Sequence, residues 1–177
     1  MKRVTDVHVY TDGSSKHNGK PECVAGWSMV IPNLGDCMYA RYGQLAPPSS
    51  NNRGEAMGVI AAAEMFARAP DFRAVIYTDS QYIQKACTEW RGKWALTQYD
   101  GVKNIDMLLP LFNIIDRSIN KPKILWVKGH AGDPGNELAD QYAGYGMRGI
   151  RQMVESTTQN IQWVEEADVT RRYRAWA

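Results

Sequence analysis

An alternation opens the chain. Residues 4–11 set Val4, Val7 and Val9 among Thr5, Asp6 and His8, the rhythm of a half-buried strand. The polar run Asp12-Gly13-Ser14-Ser15 is expected to end that strand as a turn. Residues 24–31 and 36–44 read as two further strands joined at Pro32-Asn33-Leu34-Gly35, and an antiparallel meander is the simplest arrangement of the three. After Pro47-Pro48-Ser49-Ser50 the period lengthens. Glu55, Val59, Ala62 and Phe66 fall on one stripe of an alanine-rich segment, which predicts a helix. A β-branched strand at residues 73–78 and a helix over residues 80–90 follow. Ile105, Leu108, Leu109, Phe112 and Ile115 predict a third helix over residues 104–119, bent or interrupted at Pro110. Residues 124–128 read as a strand, and a last helix should begin near Pro134. Three strands followed by alternating helices and strands predict an α/β fold, a mixed sheet with helices packed on it. No internal repeat or second domain is visible, and the pattern fades from about Arg148 onward.

Composition adds limits to this picture. The 177 residues suit one domain, with 44% hydrophobic and 23% charged side chains. With 21 basic and 19 acidic residues the net charge is only +2, so any nucleic-acid role must come from local clustering. No apolar run is long enough to span a membrane, and the first residues lack the apolar stretch of a signal peptide. Cys23, Cys37 and Cys87 are widely spaced and odd in number, which argues against a disulfide framework or a zinc site and for a cytoplasmic setting.

Four carboxylates sit at element ends. Asp12 closes the first strand, Glu55 opens the first helix, Asp79 follows the fourth strand and Asp140 lies on the last helix. Each has a plain explanation. Asp12-Gly13 is an ordinary turn pair, Asn52 and Glu55 have capping-box spacing, Asp79 could cap the next helix, and Asp140 could be an exposed helix residue. Glu55, however, lies on the apolar stripe, and a buried carboxylate is costly without a cation or donors. Residues after strand ends converge on one edge crevice of an α/β sheet. Carboxylates gathered there repel one another unless cations intervene, and a set of oxygen donors suits Mg²⁺ or Mn²⁺ rather than zinc.

Five short strings then carry a resemblance. Tyr10-Thr11-Asp12-Gly13-Ser14, Asn51-Asn52-Arg53-Gly54-Glu55, Tyr77-Thr78-Asp79-Ser80-Gln81-Tyr82, Trp126-Val127-Lys128-Gly129-His130-Ala131-Gly132 and Gly135-Asn136-Glu137-Leu138-Ala139-Asp140 occur in this order. Over roughly residues 4–146 the chain resembles the type 1 ribonucleases H. The resemblance implies a five-stranded mixed sheet, three antiparallel strands then two parallel ones, flanked by helices. It implies an endonuclease that cuts the RNA strand of RNA/DNA hybrids by a two-metal mechanism, leaving 5′-phosphate and 3′-hydroxyl ends. Asp12, Glu55, Asp79 and Asp140 match the metal-binding carboxylates, with two Mg²⁺ ions expected and Mn²⁺ as a substitute. Asp140 owes its place in the site to this match alone. His130 matches a mobile loop histidine that helps product leave, and Glu137 an acidic residue near the second metal. Asn18, Asn52 and Gln81 fall where the family contacts the hybrid.

Between the second and third helices the family often carries a lysine-rich protrusion containing tryptophan. Here Trp90, Lys93, Trp94 and Lys103 retain aromatic rings beside cations, but the stretch is short and includes Asp100. A weak handle is therefore expected, with looser binding and a shallower salt dependence. Trp90 and Trp94 would alternatively be helix-end core residues. The segment from Ser14 to Val24 is longer than usual, leaving His17 as an alternative to Asn18. Residues 147–177 form a C-terminal extension with a basic, aromatic end (Arg171, Arg172, Tyr173, Arg174, Trp176), expected to pack on the same domain. A monomer acting on an RNA/DNA hybrid, with no membrane, completes the expectation. The alternatives are an integrase or exonuclease on the same sheet, and a non-catalytic hybrid-binding module.

Overall fold

In the computed structural model, which describes residues 3–34, 37–150 and 160–163, the N-terminal alternation becomes strand β1 (Thr5–Lys16). Val7, Val9 and Thr11 are buried on one face, while His8 is exposed on the other. The strand does not stop at the expected turn. It runs on through Gly13, Ser14 and Ser15 to Lys16, paired antiparallel with β2 (Val24–Leu34) from Tyr10↔Val30 to Lys16↔Val24. Small polar residues hold strand geometry here because β2 satisfies their backbone groups, and propensity yields to pairing.

β3 (Cys37–Leu45) pairs antiparallel with β2, with a register shift between Ile31 and Leu34. Gly35 and Asp36, part of the predicted turn and third strand, lie outside the described residues. β4 (Phe72–Thr78) and β5 (Lys123–Trp126) add in parallel beyond β1. The expected five-stranded mixed sheet is present. A sixth strand, β6 (Asn160–Trp163), joins it in parallel beside Cys37–Ala40 of β3, giving the order β5-β4-β1-β2-β3-β6. The predicted basic, aromatic end at residues 171–176 lies outside the described residues.

Three helix expectations need correction. α1 (Asn51–Phe66) is capped by Ser50, whose hydroxyl accepts the Arg53 N–H at 3.2 Å, so Asn52 is not the cap and Glu55 is not spent on a capping box. The helix predicted to end at Trp90 continues: α2 (Gln81–Lys85) passes through a π-helical stretch, Ala86–Trp90, into α3 (Arg91–Leu96). α4 (Ile105–Arg117) is unbroken at Pro110. Proline at the second turn forfeits one bond, to the carbonyl of exposed Asp106, and burial of Met107, Leu108, Leu111, Phe112, Ile114 and Ile115 outweighs that loss. α5 (Pro134–Met147) starts where proline suggested, with the Asp133 carboxylate accepting the Asn136 N–H at 3.0 Å.

The helices divide between the two faces. Met57, Ile60 and Phe66 of α1 and Met107, Leu108 and Leu111 of α4 meet Val9, Trp27, Met29 and Ile76 of the sheet. Ala139 and Tyr142 of α5 meet Val30, Met38, Ala40 and Tyr42 on the opposite face. α1 lies unusually close to β1 and β2. A Cβ at Gly54 would fall 2.4 Å from the Gly26 carbonyl oxygen, and one at Gly58 would fall 2.6 Å from that of Ser28. Only bare backbone fits, and this closeness sets the position of Glu55. No described helix is long and apolar enough to cross a membrane.

Candidate active site

The four carboxylates meet where β1 passes the ends of β4 and α1. β1 presents Asp12, which is buried, and the backbone N–H of Gly13 donates to its carboxylate at 2.8 Å. α1 presents Glu55, also buried, because the glycine contacts drop the first turn of the helix onto the sheet. β4 delivers Asp79 one residue past its end. Ser80 caps α2 by accepting the Ile83 N–H at 3.2 Å, which corrects the idea that Asp79 is the cap and leaves its carboxylate available. The indole N–H of Trp126 donates to the Asp79 carbonyl at 3.0 Å, fixing the backbone at that point. Asp140 arrives from α5, which is fastened to β2 by the Ser28 hydroxyl donating to the Ala139 carbonyl at 2.6 Å. With Gly13, Ser14, Ser15, Asn51, Ser80 and His130, these carboxylates line a polar cleft of about 480 Å³.

Oxygen atoms of Asp12, Glu55 and Asp79 all lie within 4.8 Å of one another. Asp140 lines the same cleft but stands outside that tight triad. Such proximity is unfavourable for bare carboxylates. Burial, then repulsion from Asp79, pushes the Asp12 carboxyl up to about 7. Burial and the Asp12 and Asp79 charges push Glu55 well above the usual range, and burial raises Asp79 while His130 pulls it the other way. One oxygen of Glu55, Oε2, is buried without a hydrogen-bond partner. An orphaned anionic oxygen facing two more carboxylates is what a divalent cation satisfies, so the donor set fits Mg²⁺ or Mn²⁺. Next to the triad, Gly129 leaves no room for a side chain: a Cβ would meet Asp79 Oδ2 at 2.6 Å. The exposed His130, in the left-handed region with φ 53°, follows it at the cleft mouth.

The remaining predicted residues spread around this centre. Asn52, Trp94 and Lys103 line a second groove of about 370 Å³ with Tyr82, Asp100, Val102 and Asn104. Trp90 packs on Trp94 and Tyr82, with ring centroids 5.6 Å and 6.0 Å away, and both tryptophans also rest on the core. The two readings of these rings, core residue and groove wall, therefore hold together for Trp94. Lys93 and Gln81 are exposed and line neither the cleft nor the groove. Asn18 uses its side-chain oxygen to accept the Asn51 N–H at 3.0 Å, and His17 is exposed. Glu137 is exposed on the first turn of α5. Sequence reasoning missed Ser15, Asn51 and Ser80 as cleft residues and Tyr82 and Asn104 as groove residues. Reading 12–15 as a turn hid the first of these, and the αL conformation of Asn104 (φ 58°) leaves no periodic signal.

Comparison with known proteins agrees with this geometry. The sequence profile of the RNase H family matches residues 4–148. A ribonuclease H of a Polaromonas species is 38% identical over 149 residues, covering 81% of this chain and 89% of that protein. One from Bordetella pertussis is 36% identical over 152 residues, covering 82% and 91%. Among solved structures, LC9-RNase H1, described as a type 1 RNase H with the type 2 active-site motif, superposes with a TM-score of 0.65 at 25% identity, over 90% of this chain and 87% of that one. The PFV RNase H domain shares the fold at a TM-score of 0.65 and 20% identity, over 82% and 96% of the two chains.

Proposed function

Because the chain belongs to the ribonuclease H family, we propose that it is a metal-dependent endonuclease cutting the RNA strand of RNA/DNA hybrids, leaving 5′-phosphate and 3′-hydroxyl ends. The observation that carries this reading is the convergence of Asp12, Glu55 and Asp79 oxygens within 4.8 Å at the end of the sheet. Asp12, Glu55, Asp79 and Asp140 would hold two Mg²⁺ ions, with Mn²⁺ able to substitute. When bound, such ions lower the pKa of a water and neutralise charge on the phosphate and the leaving oxygen.

The protein's own part is to hold these donors rigidly. The Trp126 indole and the Ser28 hydroxyl fix the backbone at Asp79 and just before Asp140, so the chain carrying each carboxylate is in place before substrate arrives. His130, which lines the cleft, helps the cut strand leave, and Glu137, in the first turn of α5, serves as a secondary acidic group. Asn52, Trp94 and Lys103 would receive the uncut strand in the neighbouring groove, the indole against sugar and the ammonium on phosphate, with Trp90 supporting Trp94. Gln81, Lys93 and Asn18, which line neither cleft nor groove, serve as further contacts. Contacts to phosphates and groove shape give little sequence preference, and choice of the RNA strand rests on its 2′-hydroxyls. Residues 1–146 form the catalytic unit and residues 147–177 an extension, whose packing on that unit is supported by the pairing of β6 with β3. The protein works as a monomer in the cytoplasm, a setting suited to the free, buried thiols of Cys23 and Cys87.

An end-labelled RNA/DNA hybrid, with duplex DNA and duplex RNA as controls, tests this reading in Mg²⁺, Mn²⁺ and EDTA. The expected result is cutting of the hybrid's RNA strand alone, dependent on the divalent ion and absent in Asp79→Asn. Hybrid binding without cutting would favour the non-catalytic module, and cutting of duplex DNA would favour an integrase or exonuclease.

A further inference from the structure

β1 outruns its neighbour. Its last partner on β4 is Thr11, yet it extends to Lys16, and residues 12–15 of this overhang line the cleft. Ser14 and Ser15 line the cleft beside Asp12. Side chains alternate along a strand, which puts Asp12, Ser14 and Lys16 on one face, and four residues of strand carry Lys16 about 13 Å from Asp12. This overhang continues the wall of the cleft from Asp12 toward Lys16.

The loop beyond the overhang is built rather than loose. The Lys20 N–H donates to the His17 carbonyl and the Cys23 N–H to the Lys20 carbonyl, each at 3.0 Å, with His17 at φ 62° and Gly19 at φ 85° making the turns. Asn18 accepts the Asn51 N–H, and the Ser49 N–H donates to the carbonyl of the buried Cys23 at 3.1 Å. Both contacts tie the loop to the chain entering α1, next to Glu55. Lys16, His17 and Lys20 are exposed on this frame, and neither lysine has an acidic partner among the described residues, although Glu22 lies in the same loop. Four other cations are engaged with acids: Arg53 with Asp106, Arg73 and Lys123 with Asp6, and Arg91 with Asp116. At the end of α3 and in the segment leading to α4, exposed Leu96 (86% accessible) and Asp100 accompany a single exposed lysine, Lys103.

We propose that Lys16 and Lys20 clamp phosphates of the RNA strand a few nucleotides from the cut, so that the β1–β2 loop adds to the grip that Lys103 alone offers in the short α3–α4 segment. This rests on the reading of the protein as a hybrid nuclease. The test measures hybrid affinity across a salt series by fluorescence anisotropy, in an Asp79→Asn background that prevents cutting. Adding Lys16→Gln and Lys20→Gln should weaken binding about tenfold at 0.1 M salt and flatten the slope of log affinity against log salt by about 2. Arg68→Gln with Lys121→Gln, both exposed at the far end of the sheet, should leave the slope unchanged. Neutral methylphosphonates in the RNA strand beside the cut should erase the effect of the lysine substitutions, and the same change in the DNA strand should not. An unchanged slope in the lysine variant overturns the clamp, and the opposite strand dependence overturns its assignment to RNA. If the background protein binds hybrid no better than duplex DNA, the functional reading itself fails, whatever the lysines do.

Discussion

Asp12→Asn is expected to raise the melting temperature in EDTA while reducing metal-dependent cleavage by about 10³-fold or more, a loss of roughly 4 kcal/mol from transition-state stabilisation. Both effects have one cause. Asp12 is 3% exposed and Glu55 4% exposed, so neither charge is well hydrated, and each faces the other and Asp79. Asparagine keeps the shape, removes one charge and supplies an N–H₂ group to the neighbouring Glu55 carboxylate. A gain of about 1–3 kcal/mol follows from relieving such repulsion, or roughly 3–10 °C for a chain of this size. Mg²⁺ should stabilise the wild type and have much less effect on the variant. Equal melting temperatures in EDTA would mean that the acidic cluster carries no strain.

The same site gives a signed pH dependence. The folded-state value of Asp12, about 7, lies above its unfolded value near 3.8. The folded protein therefore binds more protons than the unfolded one between those values, and stability falls as pH rises. This contribution is fully present below about pH 4 and is lost as pH passes through about 7. Denaturation in EDTA across that window should show the decline in the wild type and a shallower one in Asp12→Asn.

Gly54→Ala is expected to impair both folding and catalysis, although it adds a single methyl group to a helix. Alanine is the better helix former by about 1 kcal/mol, so propensity alone predicts stabilisation. Contact geometry decides otherwise. The new Cβ would sit 2.4 Å from the Gly26 carbonyl oxygen, a backbone atom fixed within the sheet, so α1 has to lift. Overpacking of this kind costs about 1–3 kcal/mol. Lifting the first turn also carries away Glu55, the next residue, and a displacement near 1 Å in a preorganised site costs about 10²-fold in rate. A lower denaturation midpoint with a kcat reduced about a hundredfold would fit. Full activity at normal stability would show that the helix position does not set the site.

Several features of the fold were legible because they follow from short-range rules. Val7 and Val9 on one side of β1, the stripe holding Glu55 and Phe66, and Pro134 at the start of α5 each showed in local periodicity or capping. The misreadings came from tertiary context. Gly13, Ser14 and Ser15 carry turn propensity, but β2 pairs with them, so the strand runs on to Lys16. Ser50 took the cap expected of Asn52, and burial carried α4 through Pro110. Within the site, the buried position of Glu55 could be read from its stripe. Asp140 could be placed only through resemblance, because what brings it there is the hydrogen bond between Ser28 and Ala139, residues 111 apart in sequence. The sixth strand was not foreseen, and four residues separated from the domain by an unpatterned stretch carry little signal of their own.

That strand bears on how molecules of this protein behave toward one another. A sheet edge exposes backbone donors and acceptors that any other extended chain can take up, and a long edge invites aggregation. The two edges here are managed differently. β5 is four residues long and carries Lys123, which makes it a poor template. At the other side the edge is β6, also four residues long, which covers the Cys37–Ala40 portion of the nine-residue β3 in parallel register. A chain shortened to residue 150 would keep the carboxylate cluster but bare that stretch of β3, and it would be prone to self-association through it. The extension thus contributes to colloidal behaviour through an edge that carries none of the four carboxylates.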